Sequence, residues 1–340
     1  MEPVRMTPNG IICEQDGAQV ALDPASAVPG AASFVSHAHA DHLPAGSGPV
    51  ICSAETRAIA ALRGTELGPD ADPGPARMVD AGHILGSRGL VFGDVFYTGD
   101  ICTRDRGFLR GARPPRCRVL VTESTFGAPG FSFPPVREVR DRANQIISEM
   151  YARGVPVVLM GHGLGKAQTL TDLFGHWDPL YLHDGVHAMN ELHRSLGVDL
   201  PAGIPYSEAS RRGLLARRPW VMVCPMLPSR SPLVRELRSV YGAVTIAFTG
   251  WAASPGRPDT PPVGRGADHV LPLSDHCDRD ELLDLARRTG AEEAYVTHGF
   301  EEDLAAALAD MGVRARPLGA ARGRQTARTR TRRRGRSPSS

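Results

Sequence analysis

Up to about residue 125 the apolar positions come in short runs cut by glycine, proline and aspartate. IICEQ and AQVALD flank the pair Asp16-Gly17, and SFVSH, PVICS, ARMVD, LVFG, VFYTGD and RVLVTE follow. Runs of this length between such breakers predict β-strands, the first two joined by a turn at Asp16-Gly17. One helix interrupts them, at about Ala54–Arg63. From about Ser132 the pattern alternates instead. Helices are expected over Glu138–Arg153, Lys166–Phe174, Val186–Leu196 and Pro232–Tyr241, separated by the strands VPVVLM, PLYLH, WVMVCPM and VTIAFTG. That alternation predicts parallel strands with crossover helices, an architecture different from that of the front part. After the Pro/Gly-rich loop WAASPGRPDTPPVGRG two further units follow, HVLPLSDH with a helix at Arg279–Arg288 and AEEAYVTHG with a helix at Glu301–Met311. There is no repeat at solenoid period.

Length and composition narrow the class only a little. A chain of 340 residues with 41% hydrophobic content can bury a large core, in two domains or in one enzyme with an inserted lobe. Six cysteines lie scattered without any C-x-x-C pair, which argues against both a zinc ribbon and a disulfide framework and points to a reducing compartment. No run approaches the roughly 20 apolar residues of a membrane span, and the amino terminus has no signal-peptide stretch, so a cytoplasmic protein without membrane association is expected. The formal net charge is only +2, but its distribution is uneven. The end of the chain, ARGRQTARTRTRRRGRSPSS, is rich in arginine and has no acidic residue. Such a segment is expected to be disordered, and either lies on an acidic polymer or is a solubilising extension.

The candidate chemistry is concentrated in His37-Ala38-His39-Ala40-Asp41-His42, directly after the strand-like SFVS. Alanine spacers let a tight backbone turn aim three imidazoles and a carboxylate into one space, a donor mixture suited to Zn²⁺ with coordination left open for water. A histidine-rich polar loop without function is the competing reading. Three further residues stand where a metal cluster would need them. These are His83 in AGHILGS, Asp100 at the end of VFYTGD, and His298 in YVTHG. Each alone could be a turn residue.

In that order the residues resemble the ligand series of the metallo-β-lactamase superfamily. Glu123 in VTESTFG, His276 in PLSDHCDRDELL and His298 in VTHGFEEDL are similar to motifs of its β-CASP nucleases, and GLGKAQ at Gly163–Gln168 resembles the bacterial DNA ligase-associated exonucleases. The resemblance runs from about Pro8 to Leu318 and is weakest in the middle. It implies an α/β fold, a metallo-β-lactamase αββα sandwich with an inserted β-CASP-like α/β domain. Residues 1–130 would be the first part of the sandwich, 131–262 the insert, 263–318 the return segment and 319–340 the arginine-rich tail. His37, His39 and His83 would hold one divalent ion, Asp41, His42 and His298 a second, with Asp100 between them and Asp23 of VALDP orienting a ligand histidine. Two such ions, zinc with manganese as the alternative, roughly 3.5–4 Å apart, would lower the pKa of a shared water for attack on phosphorus. Asp41, His276 and Glu123 would be the catalytic residues, His276 serving the leaving group and Glu123 keeping it protonated.

The implied activity is a nuclease, an exonuclease acting on DNA in repair, with nucleic acid as its partner and a DNA ligase or other repair protein beside it. An RNA-processing enzyme of the same group is the close rival, because two-metal hydrolysis attacks the phosphodiester itself and no residue is visibly assigned to a 2′-hydroxyl. A small-molecule hydrolase of the same fold would not require the middle lobe. GHGLGKA fails the P-loop spacing and leaves Lys166 as a phosphate contact at a helix start, with His183 of YLHDG as a second substrate-binding candidate. His162, His176, His187, His193 and His269 are read as structural or surface histidines. No G-x-S-x-G elbow is present, which removes serine-hydrolase chemistry. Oligomeric state and direction of digestion have no signature in the sequence.

Overall fold

The computed structural model describes residues 3–46, 48–253 and 263–318. The arginine-rich tail 319–340 and most of the loop between Trp251 and Gly266 lie outside the described residues. In chain order the front part runs β1 (Val4–Thr7), β2 (Gly10–Gln15), β3 (Ala18–Leu22), β4 (Ala32–Phe34), β5 (Val50–Ile51), α1 (Ala54–Leu62), β6 (Arg77–Asp80), β7 (Arg88–Phe92), β8 (Val95–Tyr97) and β9 (Val119–Ser124). The middle part continues with α2 (Val136–Ala152), β10 (Val157–Gly161), α3 (Lys166–Phe174), β11 (Leu180–Leu182), α4 (Asp184–Ser195), β12 (Ile204–Pro205) and α5 (Tyr206–Arg211). Then come β13 (Val221–Pro225), α6 (Pro232–Tyr241), β14 (Val244–Phe248), β15 (His269–Leu271), α7 (Arg279–Thr289), β16 (Glu293–Gly299), α8 (Glu301–Asp310) and β17 (Arg314–Pro317).

These elements build a mixed α/β molecule with three sheets among the described residues, ordered β1-β2-β3-β4-β5, β17-β16-β9-β8-β7-β6 and β12-β11-β13-β10-β14-β15. Side-chain alternation sets the layers, because successive residues of a strand face opposite sides. In β9, Val119 and Val121 join Ile11 and Cys13 of β2 and Val20 and Leu22 of β3 in one core, so the first two sheets lie face to face. Leu120 points the other way, against Leu282 and Leu285 of α7 and Leu304 and Leu308 of α8. The middle sheet is buried on both faces, as parallel sheets are. Val157 and Leu159 of β10 meet Ala167, Leu170 and Phe174 of α3, while Val158 and Met160 meet Trp220 and Leu237. A smaller cluster, in which Ile59 of α1 and Ile84 pack with Leu164 and Met189, joins the front and middle parts.

Local signals explain several boundaries. Asp278 caps α7 in a reciprocal box with Glu281, and Gly290 ends it in the left-handed conformation. Ser231 caps α6 with Pro232 at the first helical position. Other elements have no such signal. β17 reads RARP, with only Ala315 and Pro317 at its less exposed positions, yet it pairs in parallel with β16 at the sheet edge. β1, β12 and α5 are likewise absent from the pattern of the sequence.

Two features place the site. β15, which the sequence reading puts in the return segment, pairs with β14 and completes the middle sheet. Pro272 ends this strand, since proline offers no N–H to a ladder, and the chain then crosses back. It returns as β16, laid parallel to β9 so that Thr297 stands opposite Glu123 and Gly299 opposite Ser124.

Candidate metal centre

Residues 37–42 follow β4 and turn beneath the cavity between the front and middle parts, His37 fully buried and His42 nearly so. His83 sits between β6 and β7, on a loop that only glycine could complete. Gly82 has φ +63°, and a Cβ there would come 2.4 Å from Cys102 O and 2.7 Å from Ala112 N. Asp100 follows β8, and His298 lies on β16 with φ +54°.

The donor atoms converge. His39 Nδ1 lies 2.9 Å from His37 Nε2 and 3.1 Å from His83 Nε2. Asp100 Oδ2 is 3.5 Å from His37 Nε2 and 3.6 Å from His83 Nε2, and its Oδ1 is 3.6 Å from His42 Nε2. His37, His39, His83 and Asp100 thus form one group of potential ligands, and His42, Asp100 and His298 a second that shares the carboxylate.

The remaining ring nitrogens are held in place. Ser36 Oγ gives its proton to Asp23 Oδ2 at 2.6 Å and therefore accepts from His37 Nδ1 at 2.9 Å. His83 Nδ1 donates to the backbone oxygen of Asp275 at 2.9 Å, and His42 Nδ1 donates to Asp23 at 2.7 Å. Asp23 also accepts from Ser36 N and from Tyr97 Oη, each at 2.7 Å. Outer contacts of this kind fix tautomer and ring orientation in metal sites.

Electrostatics suit a cation. Burial and the surrounding imidazoles push His37 and His83 well below the ordinary histidine value, and His39 to about 3, so all three offer lone pairs at neutral pH. Neutral nitrogens meeting at such distances repel unless a positive centre stands between them. Burial opposes charge on His42, yet Asp100 and Asp23 outweigh it and raise its pKa to about 10. The second group therefore also calls for positive charge. The mixture of imidazole and carboxylate fits a divalent ion of the zinc type and leaves positions open.

Beside the shared carboxylate lies a third pair. Glu123 Oε1 accepts from His276 Nδ1 at 2.8 Å and from Ile101 N at 2.9 Å, and Oε2 accepts from Thr125 N at 3.2 Å. Burial disfavours the imidazolium of His276, but Glu123 and Asp100 hold its pKa up at about 9.

Other candidates stand apart. The Asp41 side chain is 84% exposed and reaches only 3.9 Å from His42 Nε2, outside both ligand groups. His183 caps α4, its Nδ1 accepting from Gly185 N at 3.1 Å, and does not line the cavity. Lys166 does line it, but its Nζ is tied to Asp275 Oδ2 at 3.2 Å. The structure also supplies residues that sequence reasoning missed. Arg106, fully buried, donates to the backbone oxygens of Gly82 and His83 and so fixes the His83 loop. His162 packs edge-on to His39 with centroids 4.7 Å apart, and Arg63 lines the cavity while donating to Ala38 O at 2.7 Å. For His162, the only cue was the strand end before GLGKAQ.

The cavity above these groups encloses about 560 Å³, with Phe126, Phe248, Trp251 and Met226 among its walls. Among the described residues no helix is long and apolar enough to cross a membrane.

No family model matches the chain. A protein named "Probable DNA ligase" from Opitutus terrae is 34% identical over 310 residues, 84% of this chain and 28% of that protein. The transcription termination factor FttA of Methanocaldococcus jannaschii is 34% identical over 99 residues, 27% of this chain and 16% of that protein. The chain thus spans less than a third of either curated relative. A crystal structure of an Enterococcus faecalis protein of unknown function matches with a TM-score of 0.59 over 88% of this chain and 94% of that one, at 13% identity, which shows a shared fold.

Proposed function

We propose that the chain is a metal-dependent nuclease that hydrolyses DNA phosphodiesters, working as an exonuclease on a metallo-β-lactamase sandwich with an inserted β-CASP-type domain. Residues 1–130 and the return segment up to 318 would form the sandwich, and the inserted domain would extend through β15. The single observation that carries this reading is Asp100, whose two oxygens face two separate sets of imidazoles. In the proposed site His37, His39 and His83 hold one cation and His42 and His298 the other, with Asp41 able to join by rotation of its exposed side chain. Divalent ions so held supply a water of lowered pKa and hold negative charge on the phosphate oxygens.

The chain's own groups do the rest. Asp23 and Ser36 keep His42 and His37 oriented, and Arg106 keeps the His83 loop in register with Asp275. Glu123 takes Nδ1–H of His276 and keeps the ring protonated, so its Nε2–H serves the departing oxygen as general acid. Arg63 on the cavity wall attracts the phosphate chain, while Lys166 is held by Asp275. The arginine-rich segment 319–340 would add salt-dependent affinity for a long strand, and deletion of Thr326–Ser340 is expected to weaken binding of long substrates more than turnover.

DNA is the substrate assigned because the likeness covering most of the chain falls within a protein named as a DNA ligase, and a ligase or repair protein in the cytoplasm is the partner expected. RNA processing is the second reading, favoured by the shorter likeness to FttA. A cavity walled partly by the middle domain suits a polymer better than a small molecule. The test is cleavage of matched end-labelled single-stranded DNA and RNA by the purified protein, with its metal content measured before and after chelation. Metal-dependent shortening of DNA is expected. Cleavage of RNA alone selects the second reading, and activity untouched by complete metal removal overturns both.

A further inference from the structure

One wall of the cavity is aromatic, and no ligand or proton-transfer role uses it. Trp251 lies in the short 3₁₀ turn after β14, half-buried, with its ring 4.8 Å from that of Phe126. Phe126 in turn stands 5.9 Å from the ring of His276, so the indole is two ring contacts from the proposed general acid. Phe131 and Phe300 meet Trp251 edge-on or nearly so, at 5.7 and 6.4 Å. This packing fixes the plane of the indole and still leaves it lining the cavity. Gly250 makes the arrangement possible, since a Cβ there would come 2.6 Å from Phe126 Cζ and 3.0 Å from Ser274 Cβ. Arg63 lines the same cavity, so it offers a flat apolar surface together with a cationic group. Those are the two surfaces of a nucleotide, a π-face and a phosphate.

Resting on the nuclease reading above, we propose that Trp251, seated on Phe126, is the platform on which the nucleobase next to the scissile phosphate stacks. A base can offer its face to the indole only after it leaves its own stack. The substrate is therefore received as an unpaired strand end, with little preference among the bases, because every base has a π-face. The indole is preorganised by its ring neighbours, so little rotamer freedom is lost when the base arrives.

The test compares KM and kcat of the metal-loaded full chain on single-stranded oligodeoxynucleotides with natural ends and on the same strands with abasic residues at both ends. Wild type, Trp251→Ala and Trp251→Phe are measured side by side. On natural ends Trp251→Ala is expected to raise KM about tenfold with a smaller change in kcat, and Trp251→Phe to recover most of the loss. Abasic ends should raise the wild-type KM by a similar factor, and on them Trp251→Ala should add no more than about a further twofold. A full Trp251→Ala penalty on abasic ends, or an unchanged KM on natural ends, overturns the platform. A second readout separates it from the nuclease reading: under chelation, oligothymidylate should quench the wild-type indole emission, and this quench should be lost in Trp251→Phe. Quenching without any cleavage by the metal-loaded wild type would keep the platform and sink the nuclease. Quenching that persists in Trp251→Phe sinks the platform.

Discussion

The two ligand groups that share Asp100 are built differently. His37, His39 and His83 meet at the floor of the cavity, with His37 and His83 fully buried and each bonded through its second ring nitrogen to Ser36 or to the backbone of Asp275. On the other side His42 is held as firmly by Asp23, but His298 is exposed on a left-handed residue and Asp41 points largely into solvent. A buried, preoriented donor set favours tight retention of an ion. An open one favours exchange and access for a substrate oxygen. In the proposed nuclease this contrast would divide the labour, the three-histidine side keeping a resident ion and the His42 side a more labile one.

The substitution that should break both halves at once is Asp100→Ala. It removes the carboxylate common to both ligand groups, so bound metal should fall below one ion per chain and turnover should reach background, read by metal analysis and end-labelled cleavage. Next in size is His276→Ala, expected to lower kcat by roughly 10²–10⁴-fold while both ions stay bound. Loss of metal in that variant would move His276 from proton donor to ligand. Asp23→Ala should weaken metal binding by about 10–100-fold, with the greater loss on the His42 side, visible as a biphasic titration turning shallower. The halves are separated most directly by comparing His298→Gly with His83→Ala. The glycine relieves an unfavourable backbone conformation at an exposed site, so thermal stability should change by no more than about 1 kcal/mol while one ion is lost. His83→Ala empties a buried position and should lower Tm as well as metal content. Equal losses of stability would erase the distinction between buried and open halves. Smallest of all, Asp41→Ala should loosen only the second ion, leaving the first untouched in the same titration.

Much of this site can be read from a line of residues because its densest part is local. His37, His39 and His42 lie within six positions, and a short turn brings their rings together whatever the rest of the chain does. His83, Asp100 and His298 stand at strand ends beside glycines, and the structure brings all three to that turn. Other parts had no local mark. Arg106 reads as one more surface arginine in a basic stretch, and only the folded loop shows it buried against Gly82 O and His83 O. Lys166 looked like a free phosphate contact until Asp275 arrived from more than a hundred residues away to pair with it. The edge strand β17 is four residues long and sets only Ala315 and Pro317 between its exposed arginines, too little apolar surface for a periodicity to announce it.

By itself the sequence determined the two kinds of architecture and the chemical identity of the donor groups, because period, breaker residues and side-chain type are properties of neighbours along the chain. Tertiary structure decided which atoms face one another: that Asp100 is shared, that Glu123 holds His276, that His162 and Trp251 stand at the same cavity. These pairings depend on β16 lying beside β9 and on β15 completing the middle sheet. Strand partners distant in sequence are selected by the burial of whole faces, a quantity that no short stretch of residues contains.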